Sequence, residues 1–157
     1  MSIIRARNCL DKFGFGDKII EFETSSATVE LAANALGCEP KMIAKTLSFI
    51  IDENPILIVV AGNYKISNSK FKSKFLIKPK MINFNNVENL IGHSVGGVCP
   101  FGINENVKVY LDISLKENEI VYPACGSGNS AIKLTISQLE EISNYIEWVD
   151  VSTIIEK

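Results

Sequence analysis

The sequence predicts an α+β domain with a mixed sheet, and three observations support this. Two adjacent apolar runs are strongly β-prone, TLSFIID at 46–52 and PILIVVAG at 55–62, and the polar residues between them predict a hairpin. Helices with recognisable caps are expected before and after this pair. The order of helices and strands is irregular, which argues against the regular βαβ series of a doubly wound nucleotide-binding fold.

The N-terminal third alternates helix and strand. Residues 3–13 are expected to be helical, and KIIEFE at 18–23 is expected to form a strand. Thr28 is a suitable N-cap for TVELAANALG, whose alanines and leucine recur at helical spacing, and Gly37 can end this helix in the left-handed conformation. A short helical turn, EPKMIAK, is expected next.

The elements after the hairpin follow from similar signals. Ser67 can cap a basic helix that ends near Lys74, and NVENLIG predicts a short helix that ends at Gly92. Strands are expected for VKVYLDI, EIVYPA and AIKLTI, and a last helix, SQLEEISNY, is expected from an N-cap at Ser137.

The composition predicts one folded domain over residues 1–157. The chain is 46% hydrophobic, with a mean hydropathy of +0.17, which is enough apolar material for a core. Charged residues interrupt the first apolar stretch, so no signal-peptide core is predicted, and the later apolar runs are too short to span a bilayer. We therefore expect a cytoplasmic protein that does not associate with membranes.

The cysteine pattern argues against a metal site. The four cysteines are separated by 29, 61 and 26 residues, and the chain has a single histidine. Zinc sites need closely paired ligands, and disulfide frameworks are typical of shorter secreted chains. We expect reduced, mostly buried thiols and no bound metal.

Charge is unevenly distributed along the chain. The segment 65–80, KISNSKFKSKFLIKPK, contains six lysines and no acidic residue, in a protein of net charge -2. Such a patch favours a polyanion such as a phosphate backbone. The alternative interpretation is a solvated helix face.

The segment GHSVGGVCPFGI at 92–103 concentrates four glycines, a proline, the only histidine and one cysteine. It lacks the GK[ST] ending of a P-loop and does not form a GxGxxG motif between a strand and a helix, so a nucleotide loop is not predicted. Two interpretations stay open. Cys99 and His93 could form a nucleophilic dyad, or the glycines and Pro100 could hold exposed backbone amides against a ligand.

Four blocks of sequence carry a resemblance to a known family. TVELAANALGCEPKMIAKTLSF at 28–49 is followed by GHSVGGVCPFG at 92–102, VYLD at 109–112 and VYPACGSGNSAIKLT at 121–135. In this order, over nearly the whole chain, they resemble the YbaK/ProX family of aminoacyl-tRNA deacylases. This family includes the editing domain inserted in bacterial prolyl-tRNA synthetases. The pairing of the AAxxLG…KTL block with a GGxxPxG block is the specific part of the resemblance.

The resemblance implies a mixed, mostly antiparallel, barrel-like sheet surrounded by helices. It implies hydrolysis, in trans, of the ester of a mischarged amino acid of the Ala, Ser, Thr or Cys class, with tRNA-Pro as the expected tRNA. The implied partners are the acceptor end of aminoacyl-tRNA and prolyl-tRNA synthetase. No metal and no other cofactor are implied.

The resemblance also implies site residues. Lys45, in AKTL, matches the family's site lysine, and Gly96 and Gly97 match the loop that presents backbone amides to the ester; these three are the expected catalytic residues. The expected substrate-binding residues from these loops are Pro100, Phe101, Gly102, Gly126 and Ser127. Thr46, Phe49 and Cys99 are expected in the pocket wall because they are adjacent to the matched blocks. In the basic segment, Lys70, Lys72 and Lys74 are expected to contact the acceptor stem.

One loop departs from the pattern of family members that remove cysteine. Where they have Ser-Gly-Gly and a later Asp, this chain has Ala124, Cys125, Gly126 and Ala131. The departure favours removal of alanine, serine or threonine over chemistry assisted by the thiol of the substrate. The alternative function is a catalytically inactive module of the same fold that binds tRNA or a synthetase.

Overall fold

The computed structural model describes residues 2–155. Its helices and strands, in chain order, are α1 (Ser2–Asp11), β1 (Ile20–Glu21), α2 (Val29–Leu36), β2 (Ile43–Ile51), β3 (Asn54–Ala61), β4 (Tyr64–Ile66), α3 (Asn68–Phe75), α4 (Val87–Ile91), β5 (Lys108–Asp112), β6 (Ile120–Pro123), β7 (Ser130–Ala131), β8 (Leu134–Thr135), α5 (Ile136–Ser143), β9 (Glu147–Val149) and β10 (Ser152–Ile154). Within this range no helix has both the length and the apolar content needed to cross a bilayer.

The main sheet has six strands in the order β8-β6-β2-β3-β5-β9 and curls into a half-barrel with helices around it. The predicted α+β class with a mixed, barrel-like sheet is confirmed. The main sheet was expected to be mostly antiparallel, but more of its strand pairs are parallel. The pairs β2–β6, β3–β5 and β5–β9 are parallel, whereas β2–β3 and β6–β8 are antiparallel. Two small antiparallel pairs, β1–β7 and β4–β10, lie outside this sheet.

The predicted hairpin is formed by β2 and β3. Their pairing closes at Ile51 opposite Asn54, so the turn has only two residues. Asp52 and Glu53 have φ values of 48° and 69°, the left-handed combination that matches the twist of a two-residue hairpin.

Two predicted helix starts are confirmed by their caps. The Thr28 hydroxyl accepts a hydrogen bond from the Leu31 N–H, and the Ser67 hydroxyl accepts one from the Lys70 N–H. The last helix starts earlier than predicted. Its N-cap is Thr135 and not Ser137, because Thr135 and Gln138 form a reciprocal capping box.

Several predicted strands are shorter than their apolar runs. AIKLTI is divided, because Ala131 pairs with β1 whereas Leu134 pairs with β6. The strand expected over 18–23 is only Ile20–Glu21. In EPKMIAK the helical turn covers Pro40–Met42, and the residues after it belong to β2. The sequence did not indicate β4, β9 and β10, which have three residues each.

Strand β3 is buried on both faces, which explains its uninterrupted apolar sequence. One face, with Leu57 and Val59, packs in a core that also includes Leu10 of α1 and Leu139 of α5. The other face packs in a second cluster around Phe71 of α3. The sheet is thereby held between layers of helices, and β2 beside it is held in position.

Asp112, at the end of β5, is fully buried and all its bonds are internal. Its carboxylate accepts hydrogen bonds from the Ser114 N–H, the Val151 N–H and the Ser152 hydroxyl, at 3.0, 2.9 and 2.6 Å. This aspartate of the VYLD block therefore ties the C-terminal strand to the sheet and is not part of a reactive site.

We expect Asp112→Ala to lower the free energy of unfolding by at least about 3 kcal/mol, because three buried donors lose their acceptor. Urea denaturation measures this change. The matched control is Asp150→Ala, which removes an exposed carboxylate that pairs with Lys70 and should cost less than about 1 kcal/mol. Equal losses in the two variants would show that the bonds to Asp112 are not structural.

Candidate active site

A cavity of about 500 Å³ opens beside β2. Four parts of the chain surround it: the start of α2 with the residues before it, the segment 81–87, the glycine-rich loop, and the loop after β6. Its lining residues are Ser26, Ala27, Thr28, Val29, Ala32, Ile43, Ala44, Lys45, Thr46, Leu47, Ser48, Met81, Ile82, Phe84, Val87, Val95, Gly96, Val98, Tyr122, Ala124, Ser130 and Ala131. Most are apolar or small, so the few polar groups stand out.

The outer edge of β2 is unpaired over residues 45–47. On this edge β6 pairs with β2 only as far as Ala44. The segment 80–82 pairs from Ser48 onward, where the Ile82 N–H donates to the Ser48 carbonyl at 3.2 Å. Within residues 2–155 no strand covers the gap between these two pairings.

The gap exposes the main chain of Thr46 to the cavity. Along a strand the N–H and C=O groups of alternate residues point to the same edge. The Ser48 carbonyl points to the outer edge, where it accepts the bond from Ile82. Thr46 is two residues earlier, so its N–H and C=O also point to the outer edge, at the place where no described strand pairs with it. A donor and an acceptor are thus available there to a ligand.

Lys45 lies in the cavity wall without a counter-charge. Its side chain is partly buried and forms no ion pair or hydrogen bond with any residue from 2 to 155. Burial lowers the pKa of the Lys45 ammonium below its usual value. A partly desolvated, unpaired cation favours an anionic or strongly polar ligand.

Thr46 contributes a second unsatisfied polar group. Its hydroxyl oxygen is buried and has no hydrogen-bond partner within the described residues. Because successive side chains of a strand project to opposite faces, Lys45 and Thr46 lie on opposite sides of the open edge. The cavity therefore wraps around the edge of β2, with a cation on one side and a hydroxyl on the other.

Two glycine-containing loops meet at the cavity. The Gly126 N–H donates to the Gly97 carbonyl at 3.0 Å, which joins the loop after β6 to the glycine-rich loop. Gly96 has a φ of 96°, and a Cβ there would lie 3.3 Å from the Cβ of Ala27. The N–H of Gly96 has no acceptor within residues 2–155.

Gly97 is required for this close approach. A Cβ at Gly97 would lie 2.4 Å from the Ser127 nitrogen and 2.5 Å from the Gly126 carbonyl carbon. The Gly97 N–H donates to the Ser94 carbonyl at 3.0 Å, so both backbone groups of Gly97 have internal partners. Gly97 therefore shapes the site by lacking a side chain.

The comparison with known families identifies the family of this chain. Residues 23–142 match the family model described as the aminoacyl-tRNA editing domain. The chain belongs to this family. It is 47% identical over 152 residues to uncharacterized protein YwhH of Bacillus subtilis (strain 168), covering 96% of this chain and 97% of that protein.

Two further similar proteins have names that refer to prolyl-tRNA synthesis. A proline–tRNA ligase of Bacillus cytotoxicus is 28% identical over 100 residues, covering 63% of this chain and 17% of the ligase. The chain thus spans less than a fifth of the ligase. A solved structure described as a proposed trans-editing enzyme for prolyl tRNA synthetase superposes with a TM-score of 0.87 at 27% identity and covers 97% of both chains.

The structure brings only some of the predicted site residues of the editing domain together. Lys45, Thr46 and Gly96 line the cavity. Gly97 and Gly126 do not line it, but the hydrogen bond between them joins the two loops that do. Ser127 is next to these glycines, but its hydroxyl bonds to Ser130 at 2.7 Å and to Asn129 at 3.0 Å, within its own loop.

The second half of the glycine-rich loop lies elsewhere. Cys99 and Phe101 are fully buried in the core, and Pro100 and Gly102 line a separate surface concavity beside α1. Gly102 has a φ of 68°, and a Cβ there would lie 2.3 Å from the Arg5 carbonyl oxygen. In this structure these four residues do not line the cavity, and Gly102 serves the packing of α1. Phe49, also expected in the cavity wall, instead packs against Phe71 in the core, with the two rings tilted and their centroids 5.1 Å apart.

Cys99 and His93 are close together but unsuited to nucleophilic chemistry. The Cys99 Sγ lies 3.5 Å from the His93 Nε2, and both residues are fully buried. The His93 Nε2 also lies 2.5 Å from the Phe101 carbonyl oxygen, an acceptor that requires Nε2 to carry the proton. Burial raises the pKa of the Cys99 thiol to about 12. The thiol therefore has neither a base at Nε2 nor access to a substrate.

The basic segment is partly neutralised by residues distant in sequence. Lys70 pairs with Asp150 at 3.1 Å and Lys74 pairs with Glu147 at 2.8 Å. Among the three lysines expected to bind tRNA, only the Lys72 ammonium has no ion-pair partner within the described chain. The sequence could not reveal these pairs, because the carboxylates are on and beside β9.

Sequence reasoning missed three exposed apolar residues that line the cavity: Met81, Phe84 and Val95. Phe84 and Met81 follow the basic segment and Val95 immediately precedes Gly96. The sequence does contain an indication that these residues are exposed. They are large and apolar, they lie among lysines, asparagines and glycines, and they follow neither helical nor strand periodicity, so no core position is predicted for them.

We expect Gly97→Ala to lower the free energy of unfolding by about 1–3 kcal/mol, because the new methyl group would overlap the 126–127 peptide. Urea denaturation measures the loss. Gly128→Ala is the matched control in the neighbouring loop, where the nearest atom lies 3.7 Å away and the change should stay below about 1 kcal/mol. A Gly97→Ala protein as stable as the wild type would refute the close contact of the two loops.

Proposed function

We propose that this protein is an aminoacyl-tRNA deacylase that acts in trans and hydrolyses the ester of a small, mischarged amino acid, with tRNA-Pro as the tRNA. The observation that carries the proposal is the unpaired, partly desolvated Lys45 beside the open edge of β2, in a cavity formed by the glycine-containing loops. Membership of the editing-domain family and the similarity to a proposed trans-editing protein support it. Such an activity belongs to the cytoplasm, with aminoacyl-tRNA and prolyl-tRNA synthetase as partners.

The reaction requires a water molecule to attack the ester carbonyl carbon. The bond between that carbon and the oxygen of the terminal ribose then breaks, and the ribose oxygen takes up a proton, which releases the amino acid and tRNA. Negative charge develops on the carbonyl oxygen during the attack. The groups of this site that can stabilise that charge are the Lys45 ammonium, the outward N–H of Thr46, and the N–H of Gly96, which has no acceptor within residues 2–155. Lys45 could instead bind the terminal phosphate.

Among residues 2–155, none of those that line the cavity carries a carboxylate or an imidazole that could activate the water. Among its lining residues only Lys45 and Tyr122 carry titratable groups. We therefore assign the proton transfer to the substrate: the free hydroxyl of the terminal ribose accepts a proton from the water while it passes its own proton to the neighbouring ribose oxygen that leaves. The chain then contributes positioning and electrostatic stabilisation, which account for a large share of catalysis in many enzymes.

The lining favours a small amino acid. Apolar residues such as Val29, Ala32 and Ile43 make up much of the wall, and the Thr46 hydroxyl is an unsatisfied group that could bond to a substrate hydroxyl. Apolar contacts alone discriminate only modestly between amino acids that differ by one methyl group. We propose alanine, serine and threonine as the substrates, with cysteine as the fourth member of the test panel.

The test is a deacylation panel of tRNA-Pro, tRNA-Ala and tRNA-Thr charged with alanine, serine, threonine or cysteine. We expect turnover on at least one small amino acid, and at least a ~100-fold lower kcat/KM for Lys45→Ala, because Lys45 is the one cation among the described residues that line the cavity. Rates of release of the labelled amino acid measure this. Turnover that survives Lys45→Ala would contradict the proposed role of Lys45.

Two further outcomes separate the alternatives. The control variant Cys99→Ser should retain activity, whereas a cysteine hydrolase would lose it. Binding of tRNA without turnover on any substrate would favour the inactive binding module. This alternative is supported by the lack of a carboxylate or imidazole among the lining residues in the described part of the chain.

The lysines of the basic segment remain proposed contacts for the acceptor stem. We expect Lys72→Ala to reduce the slope of log K against log salt by about 1, because this lysine is free to neutralise a phosphate. Asp150→Ala should steepen the slope, since it frees Lys70 from its ion pair. Filter binding of tRNA across a salt series measures both. Unchanged slopes in both variants would place the tRNA on another surface.

A further inference from the structure

The segment 80–87 forms part of the cavity wall and is held by main-chain pairing and buried side chains. It pairs with β2 up to the bond from the Ile82 N–H to the Ser48 carbonyl, and then leaves the sheet where the edge of β2 opens. A short 3-10 turn at Phe84–Asn86 follows, in which the Asn83 side chain accepts a hydrogen bond from the Asn85 N–H at 3.0 Å. Buried Ile82 and Val87 anchor the turn on both sides.

Phe84 projects from this turn into solvent at the rim of the cavity. Its exposure is 72%, although it lines the same cavity as Lys45. Met81 and Val95 line the cavity too and are 57% and 47% exposed. A single exposed apolar side chain needs no explanation, but three around one cavity form an apolar rim that a ligand can cover.

We propose that Phe84 is the platform on which the terminal base of the aminoacyl-tRNA stacks while its aminoacyl ester lies at the open edge of β2. The proposal rests on the proposed function and deepens it, because it names the group that holds the nucleoside. Aromatic side chains stack on bases that are not paired, and the 3′ end of a tRNA is single-stranded.

The charges and the chemistry of the site fit a nucleotide better than an apolar peptide. The substrate carries a flat base, a phosphate and an ester within one nucleotide, and the cavity offers an exposed ring, an unpaired ammonium and an outward N–H and C=O in the same concavity. Stacking tolerates any base, so the specificity for tRNA must come from contacts elsewhere. Phe84 would thereby hold the nucleoside of any aminoacyl-tRNA while the cavity selects the amino acid.

The experiment measures binding without hydrolysis. The probe is an RNA minihelix with a single-stranded 3′ end, whose terminal nucleoside carries alanine through an amide in place of the ester. It is made in three forms, with adenine, 2-aminopurine or no base at the terminal position. The proteins are wild type, Phe84→Ala, Phe84→Trp and Leu76→Ala. Leu76 is the control: it ends α3, before the segment 80–87, and is 86% exposed but does not line the cavity.

We expect Phe84→Ala to weaken binding of the adenine probe roughly five- to 150-fold. Phe84→Trp and Leu76→Ala should bind within about threefold of wild type. Removing the base should weaken binding to the wild type by the same factor as Phe84→Ala, and should have no further effect in that variant. The fluorescence of 2-aminopurine should be quenched by wild type and not by Phe84→Ala.

Wild-type affinity in Phe84→Ala, or a full penalty for the missing base in that variant, would overturn the proposal. Equal losses in Phe84→Ala and Leu76→Ala would overturn it, because the loss would then come from a general decrease in exposed apolar surface and not from a stacking platform at Phe84. If the probe stacks on Phe84 but no aminoacyl ester is hydrolysed in the deacylation panel, the role of Phe84 in base binding would be supported and the hydrolytic function would be refuted. Failure of the wild type to bind any probe would refute both.

Discussion

The interruption of pairing along the outer edge of β2 is the constraint on which the site depends. Two neighbours cover this edge, β6 as far as Ala44 and the segment 80–82 from Ser48, and neither continues across residues 45–47. An unpaired strand edge exposes main-chain donors and acceptors that would otherwise be satisfied within the sheet. Here the burial of β3 on both faces holds β2 rigidly, so the open edge keeps a defined position. The cavity, the free ammonium of Lys45 and the unsatisfied hydroxyl of Thr46 all lie around this gap.

The glycine-rich loop performs two tasks in its two halves. Gly96 and Gly97 allow the loop to approach Ala27 and the 126–127 peptide, which closes the cavity. Gly102 allows close packing on the backbone of α1, on the other side of the buried Cys99 and Phe101. A single run of glycines therefore supports both a ligand site and a helix contact. Each requirement has the same physical origin, because a Cβ would overlap main-chain atoms or require an unfavourable positive φ.

The sequence could predict features that depend on local chemistry. The hairpin between β2 and β3, the caps at Thr28 and Ser67, and the turn to the left-handed conformation at Gly37 all follow from neighbouring residues. The resemblance of the KTL and GGxxPxG blocks also led to Lys45 and Gly96. It could not distinguish Gly97, which shapes the cavity, from Gly102, which packs on α1, because both belong to the same motif.

The sequence by itself determined the α+β class, the principal elements and the family, because capping, turn chemistry and motif spacing are encoded within short segments. Only the tertiary structure decided which residues share the cavity. It separated Pro100 and Phe101 from the site, paired Lys70 and Lys74 with carboxylates more than 70 residues away in the chain, and placed Phe84 at the rim. The position of the cavity depends on where β2 is left without a partner strand. That position is set by the paths of segments distant in sequence, so the residues of β2 themselves do not reveal it.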